Sequence, residues 1–344
     1  MKNPSGLKPE IAALIDAMPK VELHVHLEGT LEPEMLMCLA EKNGVKLPYE
    51  SAAEARAAYE FSDLQSFLNI YYAACATLVT REDFRDLTLA YLRRVAVDNV
   101  RHVEPFFDPQ THTDRGIAFD TAIGGILDGL AQGEAELGIT SGLMLSFLRD
   151  QSEASAFETL VRARPWLGAL VAVGLDSAER GNPPEKFAAV FAEARRLGLH
   201  AVAHAGEEGG PDLVTRTIDA LHVSRIDHGE RAAEDPELVK RLATLGITLT
   251  VCPLSNLELK VVRTMADSTL KSMLDSGVAV TVNSDDPAYF DGYIAENFRE
   301  ATVALGLTRD DLLVLGENAI RGSFASEERR LELLGELHSV FAAT

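Results

Sequence analysis

One pattern recurs eight times along the 344 residues: an apolar or β-branched run that ends in polar residues, followed by a longer stretch with helical spacing. The runs cover residues 21–26, 102–107, 142–147, 170–175, 201–204, 225–228, 247–252 and 278–283. Helical segments between them include 187–197, 213–220, 236–245 and 269–276, and Gly198, Gly246 and Gly277 stand where left-handed C-caps would end three of these. Strand–helix units in series build a parallel sheet, and eight of them predict an α/β fold, a closed (β/α)8 barrel of the TIM type. A doubly wound sheet is the alternative from the same pattern. No Pro/Gly/Ser-rich linker and no low-complexity run divides the chain, so residues 1–344 are expected to form one barrel domain.

Residues 48–80 break the alternation. Phe61, Leu64, Phe67, Leu68 and Tyr71 fall there at helical spacings. A helical insertion after the first strand would lie over the C-terminal mouth of a barrel, as part of the core or as a lid. Residues 308–343 read as extra C-terminal helices closing the fold.

With 32 basic against 53 acidic residues the formal charge is −21, which repels nucleic acid and disfavours polyanionic substrates. Cys38, Cys75 and Cys252 form no CxxC pair and no disulfide framework. No apolar run approaches the roughly 18–20 residues of a membrane span, and residues 1–20 lack the apolar core of a secretion signal, so the cytosol is the expected compartment.

Barrel enzymes place their chemistry at the C-terminal ends of the strands. The first run ends His24-Val25-His26, and strand alternation puts both imidazoles on one face. The fifth ends at His204, with Gly206 and Glu207 just beyond; the sixth ends at His228; the eighth runs into Ser284-Asp285-Asp286-Pro287. Histidines and an aspartate converging from four strand ends predict a metal site, and nitrogen and oxygen donors suit Zn²⁺, with Fe²⁺ or Mn²⁺ as alternatives. No lysine ends the fourth run (Val173-Gly174-Leu175-Asp176-Ser177) to bridge a second ion, so one ion per chain is expected. His102 shares a strand face with Glu104 and is a candidate support for the site. His200 sits near a strand's start, and His112, His222 and His338 are expected at the surface. Cys252 reads as a small buried residue at a strand end.

The segments Glu22-Leu-His-Val-His-Leu-Glu-Gly29, Val202-Ala-His-Ala-Gly-Glu207, Asp227-His-Gly229 and Asn283-Ser-Asp-Asp-Pro287 resemble the adenosine/adenine deaminase family, a mononuclear zinc branch of the amidohydrolase barrels. The likeness runs across nearly the whole chain in the family's order. Within the family, residues 102–112, Val251-Cys-Pro-Leu-Ser-Asn256 and Ser284-Asp-Asp-Pro-Ala-Tyr-Phe290 are most similar to the members that act on the free base. Glu28 replaces the aspartate that adenosine-specific members place near the ribose, and Pro253-Leu254-Ser255 replaces a bulkier Trp-containing stretch.

What the resemblance implies is specific. His24, His26, His204 and Asp285 would bind one Zn²⁺; His228 would orient the attacking water; Glu207 would be the proton donor to the purine ring. Asp286 would bind N7, the Gly174 backbone would face N3, and Glu28 would lie where a ribose would sit; Leu64 and Phe67, from their helical spacing and place after the first strand, are the expected cover over the substrate. The implied reaction is adenine to hypoxanthine and ammonia, as in purine salvage. N6-substituted adenines and adenosine are the alternative substrates, and a non-catalytic metal- or purine-binding barrel is the reading from another class. The expected partner is a small purine base, with no nucleic acid and no membrane; a homo-oligomer stays open.

Overall fold

The computed structural model describes residues 4–343. Ten strand segments pair entirely in parallel: β1 (Lys20–Glu22), β2 (Val100–Val103), β3 (Phe106–Phe107), β4 (Thr140–Ser141), β5 (Leu143–Leu148), β6 (Leu170–Asp176), β7 (His200–Ala205), β8 (Arg225–His228), β9 (Thr248–Val251) and β10 (Val280–Val282). They make eight staves. β2 and β3 are one stave interrupted at Glu104-Pro105, where proline lacks a ladder N–H, and β4 and β5 are one stave interrupted at Gly142. The hydrogen-bonded orders β1-β2-β4 and β10-β9-β8-β7-β6-β5-β3 join through bridges from Val25 to Asp285 and from His26 to Phe106. The Asp285 N–H donates to the His24 carbonyl (2.9 Å) and the His26 N–H to the Asp285 carbonyl (3.0 Å), so the last stave closes on the first. All eight predicted runs become staves, in order.

The intervening helices pack apolar faces on the barrel's outside. The helix Pro236–Leu245 has the expected bounds and ends at Gly246, whose φ of 65° lets its N–H cap the Leu242 carbonyl. The predicted 187–197 helix begins with a tight 3₁₀ turn, Pro184–Phe187, before Ala188–Arg196. Helices Arg309–Gly322 and Glu327–Ala343 close the fold. No described helix is long and apolar enough to cross a membrane.

Residues 48–80 fold into helices Ala52–Ala57 and Leu64–Cys75. The second starts with a reciprocal cap between Asp63 and Ser66. Its buried face carries Leu64, Phe67, Leu68 and Tyr71. Phe67 packs on Phe290 (4.9 Å between centroids) and on Tyr289 (5.5 Å), so the insertion spans the mouth and anchors beyond the eighth stave.

The opposite end of the barrel is plugged by charge. Arg225, at the start of β8, holds Glu104 at 2.6 Å with neither side chain exposed. His102 joins through Glu104 (3.2 Å), and the Phe324 N–H donates to the same carboxylate. His102 therefore belongs to this plug and does not support the strand-end cluster. Burial opposes the Glu104 carboxylate, yet Arg225 and His102 bring its pKa below the ordinary value. A depressed carboxylate stabilises the fold above its unfolded pKa, and that contribution is lost as pH falls through the folded one. Arg225→Met should destabilise the protein by about 3–5 kcal/mol in urea titrations, because Glu104 is left buried and unpaired. Adding Glu104→Gln should recover most of that loss; no recovery would mean that packing, not charge, dominates there.

Candidate active site

The ligand atoms of His24, His26, His204 and Asp285 lie within 4.8 Å of one another, and all four residues are buried. His26 Nε2 stands 3.2 Å from His204 Nε2, while Asp285 Oδ1 is 3.4 Å from His24 Nε2 and 3.5 Å from His26 Nε2. His24 Nε2 has no hydrogen-bond partner at all. The other side of that ring explains its tautomer. Thr250 Oγ1 donates to Asp227 (3.0 Å) and therefore accepts from His24 Nδ1 (2.9 Å), which leaves Nε2 as a bare lone pair. Burial lowers the pKa of His24, His26 and His204, favouring the neutral form that binds metals. Carboxylates stand behind the other two rings as well: Asp176 is 3.7 Å from His26 Nδ1, and Asp227 is 3.7 Å from His204 Nδ1. Three imidazole nitrogens and one carboxylate, oriented from behind by acids, fit a divalent metal ion.

The backbone strains to aim these groups. His228 (φ 63°) and Asp285 (φ 65°) are left-handed, a conformation that costs a non-glycine residue roughly 1–3 kcal/mol. Each turns the chain sharply where a strand meets the mouth. Arg149 donates to the His204 carbonyl (2.9 Å), and Glu179 accepts from the N–H groups of Gly206, Glu208 and Gly209 (2.7–2.8 Å), which clamps the turn carrying Glu207.

His228 Nδ1 lies 3.2 Å from Asn256 Oδ1, whose amide donates in turn to Glu230. An amide oxygen only accepts, so His228 Nδ1 carries the hydrogen, and Nε2 faces Asp285 (3.6 Å) and Glu207 (3.8 Å). Burial works against a charged His228, but Glu207, Asp285 and Asp227 outweigh it and raise its pKa. Burial pushes the Glu207 carboxyl up to about 7. Asp286 is raised well above the carboxylate range by burial and by the adjacent Asp285. A side chain at Gly29 would collide with Asp286, so the glycine admits that carboxyl against the backbone.

His26, His204, Glu207, His228, Asp285 and Asp286 face a small cavity at the mouth. Leu64, Phe67, Leu68, Tyr71 and Tyr72 of the insertion line it too, as do Asp108, Asp176 and Ser177. Two of the predicted substrate residues lie outside this lining. Gly174 faces Ser146 and the ring of Phe106, and Phe106 in turn stacks on His26 (5.1 Å), forming a floor under the histidines. Glu28 is buried and accepts from His112 Nε2 (2.7 Å) and from the Asp108 N–H (3.2 Å). His112 is therefore not a surface residue as expected; it is fully buried as the partner of Glu28. Sequence reasoning also missed Asp108, Asp176, Asp227, Thr250 and Asn256. Asp176 was one residue beyond the fourth run, and the strand-end rule would have found it there.

A family model described as adenosine deaminase matches residues 19–340. An adenine deaminase of Caulobacter vibrioides is 54% identical over 332 residues, 96% of each chain, and one of Cupriavidus metallidurans is 54% identical over 97% of this chain and 95% of its own. The crystal structure of an adenine deaminase from Arthrobacter aurescens superposes with a TM-score of 0.93 at 48% identity, covering 95% of this chain and 100% of the other. An amidohydrolase from Burkholderia ambifaria with bound Zn matches at TM-score 0.90 and 26% identity, over 99% of this chain and 97% of its own.

Elemental analysis tests the metal cluster. His204→Ala should lose stoichiometric metal, whereas Thr250→Val, which removes the hydroxyl linking His24 to Asp227, should weaken metal affinity roughly 10–100-fold and leave the cluster assembled. Retention of full metal content by His204→Ala would remove that residue from the ligand set.

Proposed function

Because the chain belongs to the adenosine/adenine deaminase family, we propose that it hydrolyses the exocyclic amine of free adenine, converting adenine and water to hypoxanthine and ammonia. The observation that carries this reading is the convergence of the His/Asp cluster, His228, Glu207 and Asp286 on one small covered cavity, in a chain so similar to adenine deaminases along its full length.

His24, His26, His204 and Asp285 would hold a single Zn²⁺. Such an ion supplies Lewis acidity that brings the pKa of water down to about 7. The protein's own groups do the rest. His228, fixed through Nδ1 by Asn256, turns Nε2 toward the cluster; a cation held there would offset the carboxylates that raise the His228 pKa, leaving Nε2 free to accept the proton of the water that adds to C6. As C6 becomes tetrahedral, electron density moves to ring N1. Glu207, kept protonated by burial, delivers its proton there. Asp286, also kept protonated, donates to the N7 lone pair, and its rigid position beside Asp285 fixes the ring in plane. Collapse of the tetrahedral carbon expels the amine, which leaves as ammonia with the proton that His228 had taken, while the C6 hydroxyl returns its proton to Glu207 as C=O forms. The apolar face of Leu64, Phe67 and Leu68 covers the ring and excludes further water.

The ultraviolet spectra of adenine, adenosine and N6-isopentenyladenine, followed side by side with metal-loaded protein, test the substrate. Adenine should be converted fastest. Faster conversion of the N6-substituted base would move specificity to the helical cover, and no conversion of any of the three would overturn the reading. Glu207→Gln should retain its metal yet lose turnover by roughly 10²–10⁴-fold. In the parent enzyme kcat should fall as pH rises through the titration of Glu207, because only the protonated acid can donate; that limb should vanish from the residual activity of the variant.

A further inference from the structure

Asp108 and Asp176 are used by none of the steps above, yet both line the cavity and both are buried, at 3% and 2% exposure. Their carboxyl oxygens come within 4.8 Å of each other and of a ring nitrogen of His26. Apart from each other and the Ser146 hydroxyl, the oxygens of Asp176 and Oδ1 of Asp108 find no partner; Oδ2 of Asp108 accepts only a long bond from the Tyr71 hydroxyl (3.4 Å). No Lys or Arg among the described residues forms an ion pair with either. Leaving buried carboxyl oxygens unmatched is costly, so a site that does so is shaped for a donor that arrives with the ligand.

The chain also invests in holding Asp108 still. Arg115 donates to the Ala76 carbonyl (3.3 Å) and to Nδ1 of His112 (2.9 Å). Nδ1 therefore accepts, Nε2 carries the hydrogen, and His112 donates to Glu28. The same Glu28 oxygen receives the backbone N–H of Asp108. The four residues form a relay whose inner end is a carboxyl in the cavity wall, and this gives Glu28 a positioning role that needs no contact with a ligand.

Free adenine differs from every N9-substituted purine by one hydrogen-bond donor, N9–H. We infer that Asp108, with Asp176 beside it, accepts that N9–H and is thereby the residue that selects the free base over N9-substituted purines. The inference rests on the reading of the reaction given above. A substituent at N9 removes the donor, leaves the carboxyl oxygens unmatched and pushes carbon against them. Sites built around such a hydrogen bond reject analogues lacking it by factors on the order of 10⁴.

The test uses metal-loaded protein with adenine and 9-methyladenine. The parent should prefer adenine by a factor on the order of 10³ or more. Asp108→Leu keeps the branched shape but removes both acceptor oxygens. It should lower kcat/KM for adenine by about 10–100-fold, chiefly through KM, at unchanged metal content, so that the ratio between the two substrates shrinks. An unchanged ratio, or an equal loss on both substrates, would overturn the assignment. Should that variant fail to fold, calorimetry on the parent decides: hypoxanthine should bind far more tightly than 9-methylhypoxanthine, and equal affinities would sink the idea. A parent that binds purine over 9-methylpurine but deaminates no adenine would refute the reaction and leave this selection standing.

Discussion

Asp176, Glu207, Asp227, Asp285 and Asp286 are all withdrawn from water around the barrel's mouth, and apart from hydroxyls and imidazoles little compensates them there. Taking a carboxylate out of water costs several kcal/mol unless a cation or hydrogen-bond donors replace the solvent. The arrangement of the mouth follows from that cost. Asp227 and Asp176 sit behind imidazoles, Asp285 sits among them, and Glu207 and Asp286 meet the cost by holding protons. The opposite end of the same barrel solves the problem differently, with a permanent guanidinium on Glu104. An arginine cannot be displaced by substrate or ion, so it suits a plug. Imidazoles with free lone pairs suit a site that must receive both.

The neighbouring residues Asp285 and Asp286 show how one turn separates two kinds of carboxyl chemistry. The left-handed backbone at Asp285 turns its side chain into the histidine cluster, while Asp286 lies against Gly29 with one oxygen unpartnered. Glu207 is likewise fixed by its backbone, because Glu179 gathers three N–H groups of its turn. The His/Asp cluster, His228 and Glu207 thus sit on staves or on turns tied to them. The 48–80 insertion contributes apolar cover and is itself anchored through Phe67 to Phe290.

The staves and the four ligating residues were legible because both depend on local rules. Apolar runs mark parallel strands, alternation puts His24 and His26 on one side, and strand ends face the mouth. The cover was legible too, since Leu64, Phe67 and Leu68 repeat at helical spacing. What stayed hidden depends on partners far away in the chain. His112 is one histidine in a short helix, and only its contact with Glu28, 84 residues earlier, makes it an interior group. Thr250 is an ordinary β-branched strand residue until its hydroxyl is placed between His24 and Asp227. Asp108 follows an aromatic pair and precedes a proline, which reads as a turn, and nothing local shows that Asp176 lies beside it. Gly174 carries the opposite lesson: it sits on the expected stave, but it packs against Phe106 and Ser146 and is not among the residues lining the cavity.

The seam of the barrel has a consequence for how the first and last staves depend on each other. His24 and His26 lie on the first stave, and Asp285 follows the last, where its backbone bonds directly to theirs. The aspartate lies some 260 residues beyond the two histidines, so the open edge beside the first stave is closed by chain far away in the sequence. Closing that edge and completing the ligand set are a single event. An ion bound there would clasp the first stave to the last and tie together parts of the chain some 260 residues apart.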